Sequence, residues 1–322
     1  MIQPFGLRDA LTIKRLQSSN VAFDLKRLLL YSPSPLRSAL AGYLTNHHLG
    51  TITCVHRDDK KHLSGYVQVW PRADRPEWEL GFIAPSLDEH EQAGDIWCRM
   101  LSHMIIRGAE LGNLRIYARS SEDAEAEDVF RQAGFTVVSR EEVFVCPHEP
   151  SPAPLPRGLR SVTRRDHWAL NEFYRQVVPH LVQQAEGFSP HWCTAGNGSL
   201  LHAVSSSGYV WADKGKIIAY MGLCRSARAH WLEIVVRPEY RADLLPYLKY
   251  MLMVARSAER LPVYCPVADY SVGLGWLLRT CGFESYTRQV MLAAYTMARV
   301  PIRQRVPVHP GLQSSVDIGT PA

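Results

Sequence analysis

The sequence has no Cys-x-x-Cys spacing, no long apolar run and no block of one charge sign. Its seven cysteines are odd in number and scattered, at Cys54, Cys98, Cys146, Cys193, Cys224, Cys265 and Cys281. That excludes a disulfide framework or a zinc ribbon as the organising device and points to reduced thiols in a cytoplasmic setting. No apolar stretch approaches the ~20 residues of a membrane span. The longest candidate, 247–255, is cut by Lys249 and bounded by Arg256. The opening Met1-Ile2-Gln3-Pro4-Phe5-Gly6 lacks the basic-then-apolar order of a secretory signal. The net charge of +5 is mild and comes without a Lys/Arg run, so no stripe for nucleic acid is expected. His47, His48, His56, His62, His90 and His103 show no ligand spacing with acids or cysteines, and no metal is expected. Ser205-Ser206-Ser207-Gly208 lacks the flanking pattern of a nucleophile elbow and reads as a loop before a strand.

What is present is a repeat. Trp78-Glu79-Leu80-Gly81-Phe82-Ile83-Ala84-Pro85 is followed by an amphipathic stretch, then Leu114-Arg115-Ile116-Tyr117-Ala118, then Phe130-Arg131-Gln132-Ala133-Gly134-Phe135. Roughly 150 residues on come Trp231-Leu232-Glu233-Ile234-Val235-Val236-Arg237-Pro238, a second amphipathic stretch, Leu261-Pro262-Val263-Tyr264-Cys265 and Leu278-Arg279-Thr280-Cys281-Gly282-Phe283. Solenoid periods are only about 20–50 residues, so this period means a duplicated domain. A chain of 322 residues fits two domains of ordinary size.

Residues 147–156 hold five prolines and no apolar periodicity, which predicts a semi-rigid linker. Residues 301–322 lose patterning and are expected to form a flexible tail. The units are therefore 1–146 and 157–300. In the first, 51–57 and 65–70 alternate like a hairpin about a turn at 58–61. Trp78–Ala84 reads as a strand and 89–111 as a helix with Ile96, Met100, Met104 and Ile105 on one face. Further strands are expected at 114–118 and 136–146, with a charged helix at 122–132. The second unit repeats the plan: helix-rich over 160–182 with Asp166 as an N-cap, a hairpin at 208–213 and 217–224, a strand at 231–237, a helix at 244–259, a strand at 263–267, a short helix at 273–280 and a last strand region at 284–295. Antiparallel strands followed by one crossover helix imply an α/β fold with a mixed sheet and helices on both faces.

In order, these pieces resemble the GCN5-related N-acetyltransferase (GNAT) family, twice over. The resemblance rests on the hairpins with a small residue opening the second strand (Gly65-Tyr66-Val67, Ala219-Tyr220-Met221), the strand ending Val-Val-Arg-Pro at 235–238, and the two helix-to-strand Gly-Phe junctions. It implies two tandem GNAT-like (acyl-CoA N-acyltransferase) domains, each a mixed, mainly antiparallel sheet with helices on both faces, and acetyl-CoA as acyl donor to an amine. The family's pyrophosphate loop has glycines that let backbone N–H groups and a helix N-terminus meet the phosphates. Here the second unit reads Arg241-Ala242-Asp243-Leu244-Leu245-Pro246. Leu244 and Pro246 replace the glycines, and Pro246 has no N–H. The first unit places Asp88, Glu89 and Glu91 where a dianion would sit, and like charges oppose binding there. The family's acid, a Tyr four residues before Gly-Phe, is Phe130 in one unit and Leu278 in the other, and neither exchanges a proton.

The resemblance therefore directs the site to the second unit. Val235, Val236, Arg241, Ala242 and Leu244 are the candidate cofactor-binding residues. Glu233 is the candidate base. Strand alternation puts it beside Trp231 and Val235, where desolvation would raise its pKa. Tyr220, Trp231 and Tyr264 are candidate acceptor-binding residues. Glu79 is the first-unit counterpart of Glu233 only if one residue is bulged, because an ungapped count from the Pro pairs Leu80 with Glu233. Two other readings stand beside the enzyme: a binding or scaffolding pair that has lost the cofactor, favoured by the missing glycines and Tyr, and a tRNA-dependent transferase, which would need a basic groove.

Overall fold

The computed structural model describes residues 1–45, 51–57, 65–72, 75–147, 152–186, 204–256 and 260–296. The expected turn at 58–61, the tail at 301–322, Cys193 and part of the Pro-rich linker lie outside these residues. The first half runs β1 (Ile2–Pro4), α1 (Ala10–Leu16), β2 (Val21–Ala22), α2 (Leu25–Tyr31), α3 (Pro35–Leu44), β3 (Ile52–His56), β4 (Gly65–Pro71), β5 (Glu77–Ala84), α4 (Ala93–Glu110), β6 (Arg115–Ser121), α5 (Ala124–Gln132) and β7 (Thr136–Cys146). The second runs β8 (Leu159–Ser161), α6 (His167–Val177), α7 (His180–Ala185), β9 (Ser205–Asp213), β10 (Lys216–Arg225), β11 (His230–Val236), α8 (Leu245–Arg256), β12 (Val263–Ala268), α9 (Leu274–Thr280) and β13 (Glu284–Tyr295).

The crossover helices form where apolar residues recur every three to four positions. On α4, Ile96, Trp97, Met100, Leu101 and Met104 are buried against Trp78, Leu80 and Ile83 of β5. On α8, Leu248, Met251, Leu252 and Ala255 cover Leu232, Ile234 and Val236 of β11. Each such side chain contributes about 1.5–3 kcal/mol on burial. Gly112 (φ +78°) and Gly134 (φ +96°) follow α4 and α5 in the left-handed conformation that stops a helix. At the other end of α5, Asp123 accepts from the N–H groups of Glu125 and Ala126.

The halves do not keep separate sheets. The strand order is β1-β3-β4-β5-β6-β13-β7-β12-β11-β10-β9-β8. The last described strand, β13, lies between β6 and β7 of the first half. Reciprocally, β7 lies between β13 and β12 of the second. Each half thus completes its sheet with the other's final strand, and one continuous sheet runs through the molecule.

The second helices are exchanged as well. Leu30 of α2 packs on Ala229 and Trp231 of the second half. At the end of α7, the Ala185 carbonyl accepts from the hydroxyl of Tyr117 in the first half.

Candidate functional site

Each half contains one pair of parallel strands that meet at their N-terminal ends and then part. β5 and β6 are in register from Glu77–Arg115 to Glu79–Tyr117 only. β11 and β12 are in register at His230–Val263 and Trp231–Tyr264 only. Beyond those points each pair opens a gap whose walls carry main-chain polar groups.

The first gap is filled by the chain itself. Val21 and Ala22 pair with Ile83 and Phe82 of β5. The Phe23 N–H donates to the Gly81 carbonyl (3.0 Å), and its own carbonyl accepts from the Arg119 N–H on β6 (3.1 Å). One segment therefore satisfies both walls. The Phe23 side chain is fully buried and meets the rings of Trp97 and Phe130 edge-on, at 5.6 and 5.4 Å. Just above, the Ser86 N–H, first after Pro85, donates to the Ser19 carbonyl at 2.7 Å. Nothing in the sequence pattern marked this two-residue strand.

The second gap has no such strand among the described residues. Its main-chain groups follow from alternation. His230 donates to Pro262 across the gap edge, and Arg237 donates to Ile218 on β10. Even-numbered residues of β11 therefore turn their N–H groups toward β12, odd-numbered ones toward β10. Val236 presents its N–H to the gap. Val235 does not, since its odd position turns its N–H toward Tyr220 on β10, as Arg237 turns its own toward Ile218. Ile234 takes its place. The sequence carried that parity, but not which parity faced which neighbour.

Glu233 lies on the face of β11 opposite the one that α8 covers. Its Oε1 accepts from Lys26 Nζ of α2 at 2.7 Å and from the Trp231 indole N–H at 3.1 Å. Burial pushes its pKa up, but the Lys26 charge and hydrogen bond outweigh that, and the carboxyl is held below its ordinary value. The expectation of a raised pKa is thereby corrected: the sequence offered no sign that a lysine 207 positions away would reach Glu233. Tyr264 lies half-buried beside Trp231 and meets Tyr286 edge-on at 5.1 Å. Trp231, Glu233 and Tyr264 are thus together. Tyr220 is buried with Leu170, Phe173 and Val210, its ring lying over Gly222, the cross-strand partner of Glu233.

The segment 241–246, which the resemblance would give to phosphate, is bonded to the protein itself. Arg241 Nη1 donates to the Val272 carbonyl at 2.7 Å and Nη2 to the Tyr270 carbonyl at 3.3 Å. The Leu244 N–H donates to the Arg241 carbonyl (3.2 Å), and the Leu244 side chain is core. Ala242 is exposed. Phe130 and Leu278, which stand where the resemblance expects an acid, are both fully buried.

The first-half counterpart of Glu233 is Glu79, and the required bulge exists. Gln68 pairs with Phe82 and Val69 with Leu80, leaving Gly81 as the extra residue. A Cβ there would lie 2.8 Å from the Trp70 ring, so the bulge needs glycine. Glu79 is held by guanidinium groups, Arg119 at 2.7 Å and Arg72 at 3.5 Å. Burial opposes its charge, yet Arg72 and Arg119 together bring its pKa down to about 2. Beyond them, Glu186 bonds Tyr174 and has a pKa raised by burial. Among the described residues, no group of three or more His, Cys, Asp or Glu is arranged to hold a metal, and no helix is long and apolar enough to cross a membrane. The six described cysteines are free thiols.

No family model matches the sequence, and comparison with curated proteins finds no match. Solved structures do match. A GCN5-related N-acetyltransferase from Sphaerobacter thermophilus aligns with a TM-score of 0.51 at 16% identity, over 92% of this chain and 96% of that one. A tandem GNAT protein from the clavulanic acid biosynthesis pathway aligns with a TM-score of 0.52 at 14% identity, over 92% and 99%. The chain has the fold of the GCN5-related N-acetyltransferases, in tandem.

Proposed function

We propose that this chain is an acyl-CoA-dependent N-acyltransferase with one working site, in the second half. The asymmetry of the two gaps carries this reading: the first is closed by Val21–Phe23, and the second meets no equivalent segment among the described residues. Acetyl-CoA would supply an acyl group already activated as a thioester. The N–H groups of Ile234 and Val236 would hold its pantetheine arm and the acyl carbonyl. Arg241 would meet phosphate only after releasing Val272 and Tyr270, while Ala242 and Leu244 add little, so donor affinity should be modest. Glu233, ionised, would hold the acceptor's cationic amino group and take its proton, directly or through water. Trp231 and Tyr264 would wall the acceptor. Tyr220 and Val235 would support that wall from the core. The first half would serve as a cover for the second-half site, and the setting we propose is cytoplasmic.

The alternative is a GNAT-like pair that binds without catalysing. Arg241 bonded to carbonyls, Leu244 bonded to Arg241, and buried Phe130 and Leu278 favour it. Calorimetric titration with acetyl-CoA separates the two. One equivalent bound, with thiol release when amines are added, supports the enzyme. Binding should be lost in Val236→Pro, which removes an N–H facing the gap and no bond to β10. Absence of heat at millimolar acetyl-CoA rules the transferase out.

A further inference from the structure

The cation on Glu233 is contributed by the other half of the chain. Lys26 sits on α2, which is fixed at both ends. Upstream, Phe23 is locked between β5 and β6, and Asp24 accepts from the Arg27 N–H at 2.9 Å to start the helix. Downstream, Leu30 is buried with Val143, Ala229 and Trp231. The same segment that closes the first gap thus delivers an ammonium to the carboxylate beside the second.

The two halves treat their equivalent carboxylates differently. Glu79 is shut in, 9% exposed, between planar guanidinium groups that are always charged. Glu233 and Lys26 keep side-chain exposures of 25% and 36%. The pair is partly buried but open to solvent on both partners, so a competing cation can reach the carboxylate from outside. Both contacts fall on one oxygen of Glu233.

We infer that Lys26 Nζ occupies, from within the chain, the subsite for the acceptor's amino group, so that the acceptor is a primary alkylammonium which displaces Lys26 from Glu233. This rests on the transferase reading of the second half. The Glu233 charge keeps the Lys26 pKa raised against the opposing effect of burial. Lys26 therefore stays a cation and acts as a competitor rather than as a nucleophile. The subsite selects a compact ammonium on an unbranched stem, because that is the group it holds.

The test uses the full chain. Lys26→Ala leaves the space of an n-propylammonium ion. By calorimetry, n-propylammonium should bind this variant at least tenfold more tightly than wild type. Adding Glu233→Gln should abolish that gain, and n-propanol should not reproduce it. In acetyl transfer to n-propylamine, KM should fall at least tenfold in Lys26→Ala. Should that variant fail to fold, Lys26→Met keeps the stem as far as Cε and frees only the space of Nζ, so ammonium takes the place of n-propylammonium in the same comparison. Equal amine affinity in folded wild type and variant overturns the inference. So does acyl transfer onto Lys26 itself, detected by peptide mass spectrometry. Failure of acetyl-CoA to bind any variant removes the transferase reading instead, and the amine titration still decides the subsite.

Discussion

Phe23→Ala tests the claim that the first gap is filled by the protein's own chain. The Phe23 ring is fully buried and has edge contacts to Trp97 and Phe130. Truncating such a side chain costs about 3–5 kcal/mol, and the aromatic contacts place this one toward the upper end. At about 2 °C per kcal/mol for a chain of this size, the melting temperature should fall by roughly 6–10 °C. The main-chain bonds from residue 23 to Gly81 and Arg119 need no side chain, so the segment should stay in the gap. Acetyl-CoA stoichiometry should therefore be unchanged. Denaturant unfolding and calorimetry read the two effects separately. A loss under about 1 kcal/mol, or the gain of a second acetyl-CoA equivalent, would refute the reasoning.

Three further outcomes are expected. Gly81→Ala forces a methyl into the Trp70 ring and should cost about 1–3 kcal/mol in denaturant unfolding, whereas Gly112→Ala, at a position with open space around it, should lose stability only through its left-handed backbone. Glu79, with a folded pKa of about 2 against about 4.3 when unfolded, contributes stability that is complete above pH ~4.3 and is lost as pH falls toward 2. Asp24 beside it shifts upward, through burial first and Glu79 second, and offsets part of this. The readout is therefore the difference between wild type and Glu79→Gln in melting temperature from pH 6 to 2: the variant should show the shallower slope. Glu233→Gln should lower kcat/KM for amine acetylation at least a hundredfold while changing the melting temperature by no more than a few degrees, because its pair with Lys26 is partly exposed.

Much of this fold was legible in the sequence because its signals are local. The α4 and α8 faces follow from helical spacing, and the face of β11 that carries Trp231 and Glu233 follows from alternation. Counting back from Pro85 and Pro238 showed that Glu79 could match Glu233 only across a one-residue bulge, but not that the bulge falls at Gly81. The exchange of β7 and β13 was not legible. Either strand would suit a position in its own half's sheet equally well by composition, and the partner choice is made by contacts more than a hundred residues apart. The plug at Val21–Phe23 is too short to show a period. Lys26 lies on a seven-residue helix in the half without the open gap, and only the crossing of α2 onto Trp231 brings it to Glu233. For the segment 241–246 the sequence showed only that Leu244 and Pro246 stand where the resemblance expects glycines. That Arg241 holds the carbonyls of Tyr270 and Val272 required the structure.

The most direct test is a crystal structure grown with acetyl-CoA. Pantetheine density between Leu232–Val236 and Cys265–Ala268, with Val21–Phe23 still bonded to Gly81 and Arg119, is the predicted result. A cofactor seated between β5 and β6 with that segment displaced would contradict a single site in the second half.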